Sequence, residues 1–198
     1  VDESAPFNWP ATLTYRHSKH LAEREIHEGI ARGLDAVIVN PSVIVGPGDR
    51  YVHGGQRGRA ARRGRLCAYP GGGMNIVGVA DVVTGHIAAA EKGRTGERYI
   101  LGGTNLTHRE AFDYVARLFG VPGPKFRVPR MAVLGIARAA EALGTLTRTQ
   151  PIITPDLVSG VGKFQWFSIG KADGSSPTIP FRWKNRSAMR TFGIATAQ

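Results

Sequence analysis

The residues of this chain that could do chemistry gather in two short stretches. The first, Tyr15-Arg16-His17-Ser18-Lys19, sets a phenol and an ammonium four positions apart. In a helix that spacing puts both on one face. An ammonium beside a phenol stabilises the phenolate, which suits a group that gives and takes a proton at a substrate oxygen. Alone the pair is a weak signal, because surface helices carry a Tyr and a Lys at this spacing by chance. The second stretch, Ala36 to Asp49, reads A-V-I-V-N-P-S-V-I-V-G-P-G-D. Ligands of open α/β sheets bind outside the carboxyl ends of strands, and Asn40-Pro41-Ser42-Val43 marks such an end.

The elements that must position these residues follow from periodicity. Leu21, Ala22, Ile26 and Ile30 keep helical spacing, so a helix is predicted from Thr14 to about Arg32, with Gly33 as its stop. Ala36 to Asn40 is a continuous apolar strand of the kind a parallel sheet buries on both faces. Pro41 lacks an N–H and is expected to end its ladder. A loop over Gly46 to Gly55 and a helix over Gln56 to Arg65 come next. Ala68 to Gly73 reads as a turn-rich connection, Asn75 to Val79 as a strand and Val82 to Lys92 as a helix. Arg98 to Leu101 is a strand closed by Gly102 and Gly103. Thr107, with Glu110 three residues on, forms a capping box for a helix running to Leu118. Phe126 to Val128 is a short strand, Arg130 to Leu146 an amphipathic helix, and Pro155 to Val161 a further helix. Strands alternating with helices predict an α/β fold.

Taken in order, Y-R-H-S-K, the N-P-S and G-P-G-D segment, G-G-M-N-I-V-G-V-A-D-V-V-T-G-H (Gly72 to His86) and G-E-R-Y-I-L-G-G-T-N-L-T (Gly96 to Thr107) resemble the extended short-chain dehydrogenase/reductases. Within that family the chain is similar to the NAD-dependent epimerase/dehydratase and dihydroflavonol-reductase-like branch. The likeness covers residues 1 to about 170. It implies the C-terminal part of a Rossmann-like parallel sheet plus a smaller, mostly helical substrate-binding lobe. Residues 1–101 would be the remainder of the Rossmann-like domain, with substrate-lobe segments at about 45–75. Residues 102–198 would be mainly the lobe, with the fold of 173–198 left open.

The resemblance implies that Tyr15 is the catalytic acid/base, that Lys19 assists it and binds the nicotinamide ribose, that Pro41, Ser42 and Val43 lie on the cofactor side, and that Asn40 touches substrate. The implied cofactor is NAD or NADP. The implied substrate is a small carbonyl compound or alcohol, or a nucleotide-sugar. A homodimer is compatible with a full-length parent. The sequence also departs from the family. Its G-x-x-G-x-x-G turn for the pyrophosphate is not among these residues, and its catalytic Ser or Thr would lie upstream of Val1. Ser159-Gly160-Val161-Gly162-Lys163 lacks the leading glycine of a phosphate loop. The chain is therefore expected to be the C-terminal part of a larger enzyme, binding NAD(P) poorly and turning nothing over by itself. Gly78 stands where relatives often carry His, Ala80 where they often carry Asp, and Asp173 to Phe181 departs from their closing segment.

Composition limits the other classes. Among 198 residues the net charge is +11, with the densest patch at Arg57, Arg59, Arg62, Arg63 and Arg65. A solvated face is the plainer reading, a phosphate-bearing ligand the second, and nucleic acid the third, since no motif for it is present. His17, His20, His27, His53, His86 and His108 show no H-E-x-x-H pattern, so no metal is expected. Cys67 is the single cysteine, which rules out an internal disulfide and fits a reducing compartment. No apolar run nears the roughly 20 residues of a membrane span, and the expected location is the cytoplasm. The competing reading is a non-catalytic relative that only binds a partner.

Overall fold

The computed structural model describes residues 1–46, 68–118, 120–147 and 158–172. The expected loop beyond Gly46, the Gln56 to Arg65 helix with its arginine cluster, His53, Cys67 and the tail from Asp173 lie outside them. The chain divides into two compact units, one of Val1–Gly48, Asn75–Thr104 and Phe167–Gln198, the other of Asp49–Met74 and Asn105–Trp166.

The first unit is built on parallel strands, as the apolar runs predict. Helix α1 (Thr14–Ala31) leads to β1 (Ile38–Pro41), which pairs in parallel with β5 (Arg98–Leu101) in the register Ile38↔Arg98 to Pro41↔Leu101. Strand β2 (Val43–Val45) pairs in parallel with β4 (Gly73–Gly78), Val43 opposite Ile76 and Val45 opposite Gly78. Helix α2 (Val79–Lys92) starts where β4 ends, with Asp81 in its first turn and Lys92 in its last, both signs matching the helix dipole. Val77, Val82, Tyr99, Leu101 and Ala172 form the core, with Val37 and Val39 packed against it. Val1 O accepts a hydrogen bond from Ser168 N at 2.8 Å, so the first and last described segments of this unit meet.

Helix α1 is closed at one end and open along its sides. Its C-terminus is a Schellman closure: Gly33 N donates to Ile30 O and Leu34 N to Gly29 O, with Gly33 at φ +97°, a conformation glycine adopts without a Cβ penalty. Its expected apolar stripe does not form a core face. No α1 residue is fully buried, and Leu21 and Ile26 remain 42% and 38% exposed.

In the second unit β3 (Ala68–Pro70) pairs in parallel with β7 (Phe126–Val128), and β8 (Phe164–Gln165) pairs in parallel with Gly73 and Met74. Strand β6 (Thr104–Thr107) precedes helix α3 (His108–Leu118), and α4 (Arg130–Thr147) follows β7. Ala116 is buried under Phe112, Val115 and Val121. The predicted capping box forms: Thr107 N and Oγ1 both donate to Glu110 Oε2, at 2.7 and 2.8 Å, and Glu110 N donates to Thr107 Oγ1 at 3.1 Å.

Several expectations need correction. Ala68 to Pro70 is a strand, not a turn, because its backbone is satisfied by β7. Pro41 is the last residue of β1, one residue beyond the strand end expected at Asn40. It keeps its place opposite Leu101, and Ser42 N donates to Leu101 O at 3.1 Å. The strand expected to end at Val79 ends at Gly78, and α2 starts at Val79 rather than Val82. Strands β2 and β6 were not anticipated. Residues Val158 to Val161 are a turn rather than helix, with Val161 N bonded to Val158 O. The rest of that predicted helix lies outside the described residues.

Candidate functional site

Helix α1 brings Tyr15 and Lys19 together. Ser18 Oγ donates to Tyr15 O at 2.8 Å within the first turns, and Lys19 Nζ lies 5.8 Å from the centroid of the Tyr15 ring. Both side chains are exposed, Tyr15 by 67%. Neither side chain is bonded to another described residue, so both present their polar atoms outward. The helix starts on Leu13 without a side-chain cap or an acidic residue in its first turn. Arg16, unfavourable there for the helix dipole, sits over the Trp9 ring at 4.0 Å. Phe7 stacks on His20 at 4.2 Å. Among the described residues no three His, Cys, Asp or Glu side chains are grouped to hold an ion.

The next residue along that face is Glu23, again four positions on. Its Oε1 accepts from Asn40 Nδ2 at 2.7 Å, and its Oε2 lies 3.5 Å from Arg98 Nη1. Glu23 therefore ties the Tyr15 and Lys19 face of α1 to β1 and β5 at once. The direction of the helix follows from a second contact. A Cβ on Gly96 would sit 3.9 Å from Ile30 Cγ2, so advancing along α1 from Glu23 to Ile30 means retreating from Arg98 to Gly96. Helix α1 thus runs against β5 and its parallel partner β1. Four residues back from Glu23 is about 6 Å of helix, and two residues on from Asn40 is about 6.6 Å of strand. By this measure Lys19 stands level with Ser42, and Tyr15 one turn beyond the end of β1.

At that end the strand residues are largely committed. Asn40 gives its amide to Glu23, while its Oδ1 is buried without a partner among the described residues. Ser42 Oγ donates to Asn75 Oδ1 at 2.7 Å. Asn75, fully buried on β4, also accepts from Gly103 N at 2.7 Å and donates to Gly103 O at 3.3 Å. Three chain segments thus close on one amide. Pro41 has no N–H, and Val43 is paired opposite Ile76. Pro41 and Ser42 therefore have no donor left free among the described residues. Sequence reasoning did not find Glu23, Asn75 or Arg98. Asn75 sits in a quoted motif, and Glu23 continues the Tyr15 and Lys19 spacing, but neither residue type signals its partners.

No helix among the described residues is long and apolar enough to cross a membrane. No protein-family model matches the chain. A dihydroflavonol 4-reductase-like protein of Synechocystis sp. is 32% identical over 163 residues, covering 80% of this chain and 48% of that protein. A nucleoside-diphosphate-sugar epimerase from Pseudomonas aeruginosa superposes with a TM-score of 0.68 at 26% identity, over 96% of this chain and 55% of that one. A dTDP-glucose 4,6-dehydratase from Streptomyces venezuelae, solved with NAD and TYD bound, shares the fold at a TM-score of 0.64 and 19% identity, over 98% of this chain and 53% of its own. The chain thus spans about half the length of the proteins it matches.

Proposed function

Because this chain belongs to the extended short-chain dehydrogenase/reductases, we propose that it supplies the acid/base helix of an NAD(P)-dependent reductase or sugar-nucleotide epimerase working at a secondary alcohol or ketone carbon. One observation carries the reading: an exposed phenol and ammonium share the face of α1 that Glu23 holds against the carboxyl end of β1. A bound nicotinamide supplies the two-electron exchange at the substrate carbon. The residues here do the rest. Tyr15 holds or releases the proton at the substrate oxygen. Lys19, with no carboxylate paired to it among the described residues, has its three N–H donors free for a ribose hydroxyl and places positive charge beside the phenol. Pro41 to Val43 fits a flat ring by its apolar surface, since the Ser42 hydroxyl is spent on Asn75. Asn40, at the carboxyl end of β1, is the candidate substrate contact.

The test is Tyr15→Phe in the whole gene product that carries this chain. NADH and NADPH oxidation would be followed with a dihydroflavonol, and epimerisation with a nucleotide-sugar. The substitution removes one exposed hydroxyl, so the thermal melt is expected to stay put while turnover falls about 10² to 10⁴-fold, the usual contribution of a general acid/base. Wild-type turnover in Tyr15→Phe would reject the mechanism.

A further inference from the structure

We propose that Glu23 is the positioning residue of the Tyr15–Lys19 pair, a role that rests on the acid/base reading above. Helix α1 has neither a core face nor an N-terminal side-chain cap. The Schellman closure at Gly33 fixes its far end, more than three turns from Tyr15. What sets the rotation of the reactive face must therefore lie between them. On the stripe Tyr15, Lys19, Glu23, the last is the member that reaches the strands. Its two carboxylate oxygens are divided, one accepting from Asn40 Nδ2 at 2.7 Å and the other 3.5 Å from Arg98 Nη1.

The division matters. A single contact lets a helix pivot, whereas two contacts from one carboxylate to adjacent parallel strands fix both height and rotation. Glu23 is the better shielded partner, its side chain 23% exposed against 38% for Arg98. Hydrogen bonds to a charged acceptor are about twice as strong as neutral ones. The same bond restrains Asn40 and keeps its amide nitrogen turned toward α1. Glu23 thus aligns residues on both sides of the candidate site without touching the reacting atoms.

The experiment uses the whole gene product with Glu23→Ala, Glu23→Gln, Arg98→Met, Tyr15→Phe and a control, Glu28→Ala, which removes an exposed ion pair to Arg32 on the same helix. Hydrogen exchange over residues 15–22 is read first, with exchange over Tyr99 to Leu101 as the check that the sheet is intact. Glu23→Ala is expected to speed exchange in α1 about tenfold, the size of losing one charge-assisted bond, while Glu28→Ala leaves it unchanged. With NADPH and a dihydroflavonol as the probe reaction, kcat is expected to fall about tenfold with KM within about twofold, the pattern of lost alignment. Glu23→Gln keeps an acceptor for Asn40 and should recover most of both, and Arg98→Met should cost less than Glu23→Ala. Should Glu23→Ala fail to fold, the graded pair Glu23→Gln and Arg98→Met carries the same reading. Wild-type exchange over residues 15–22 in Glu23→Ala overturns the proposal. So does a loosened helix with unchanged kcat when Tyr15→Phe is inactive, for Glu23 would then anchor without positioning. A fully active Tyr15→Phe removes the acid/base reading itself, whatever the exchange shows.

Discussion

Helix α3 opens on Thr107 and Glu110, which satisfy each other and the first free amides within four residues of sequence. Helix α1 opens on Leu13 with no such help, buries no residue, and takes its fixed points from Asn40 and Arg98, far along the chain. Local capping makes a helix start independent of its surroundings. A helix held by distant polar contacts takes its orientation from the sheet instead. The chain places its candidate proton-transfer groups on the second kind, where alignment to β1 comes with attachment. A surface without a buried face is also open to ligand.

This contrast can be broken by substitution, and the largest effect is expected in the core. Leu101 is 1% exposed among Val77, Val82 and Tyr99, so Leu101→Ala should cost about 2–5 kcal/mol in chemical denaturation. The matching truncation on α1, Ile26→Ala, should cost under about 1 kcal/mol, because Ile26 is already part exposed. Equal costs would show that α1 is core-held after all. Next in size, Thr107→Ala should cost about 1 kcal/mol, with exchange rising in the first turn of α3 and no change in α1. A change confined to α1 would invert the comparison.

The smallest effect concerns pH. The Lys171 ammonium, hydrogen-bonded to Glu97, holds that carboxyl below the ordinary value of 4.5, against the opposing pull of burial. Its folded pKa is lower than its unfolded one, so the contribution to stability is complete above the ordinary value. It is lost as pH falls through the folded value. Glu97 is 40% exposed, so solvent screening keeps the pair to about 0.5 kcal/mol or less. Lys171→Met should lower stability by up to that amount in the neutral range and leave it unchanged below the folded value, so that the acid limb of the melting temperature against pH is flattened. An unaltered acid limb would remove this pair from the account.

How far the fold could be read in advance depended on the kind of signal. Arg98–Leu101 and Phe126–Val128 match their predicted bounds, and α1 and α4 end within a residue of theirs. Each of these carries its own apolar run, stop or breaker. Ala68–Pro70, Val43–Val45 and Phe164–Gln165 are two or three residues long and are strands only because a partner lies in register. No local propensity announces that. Within the candidate site, the Tyr15 and Lys19 juxtaposition was legible from spacing alone. Glu23 was not, because a carboxylate on a polar helix means nothing until Asn40 and Arg98 arrive beside it. Nor was the commitment of Ser42 to Asn75, a contact across 33 residues.

The hydrogen bond from Ser168 to Val1 has a consequence for the order in which the molecule can be made. Its two ends leave the ribosome 167 residues apart, and at synthesis rates of 5–20 residues per second that is roughly ten to thirty seconds. Throughout that interval the unit containing α1 and β1 lacks its closing segment, while the intervening Asn105–Trp166 is already being extruded. The helix with the candidate proton-transfer groups emerges before the second unit does, yet its own unit closes only after the second has been delivered.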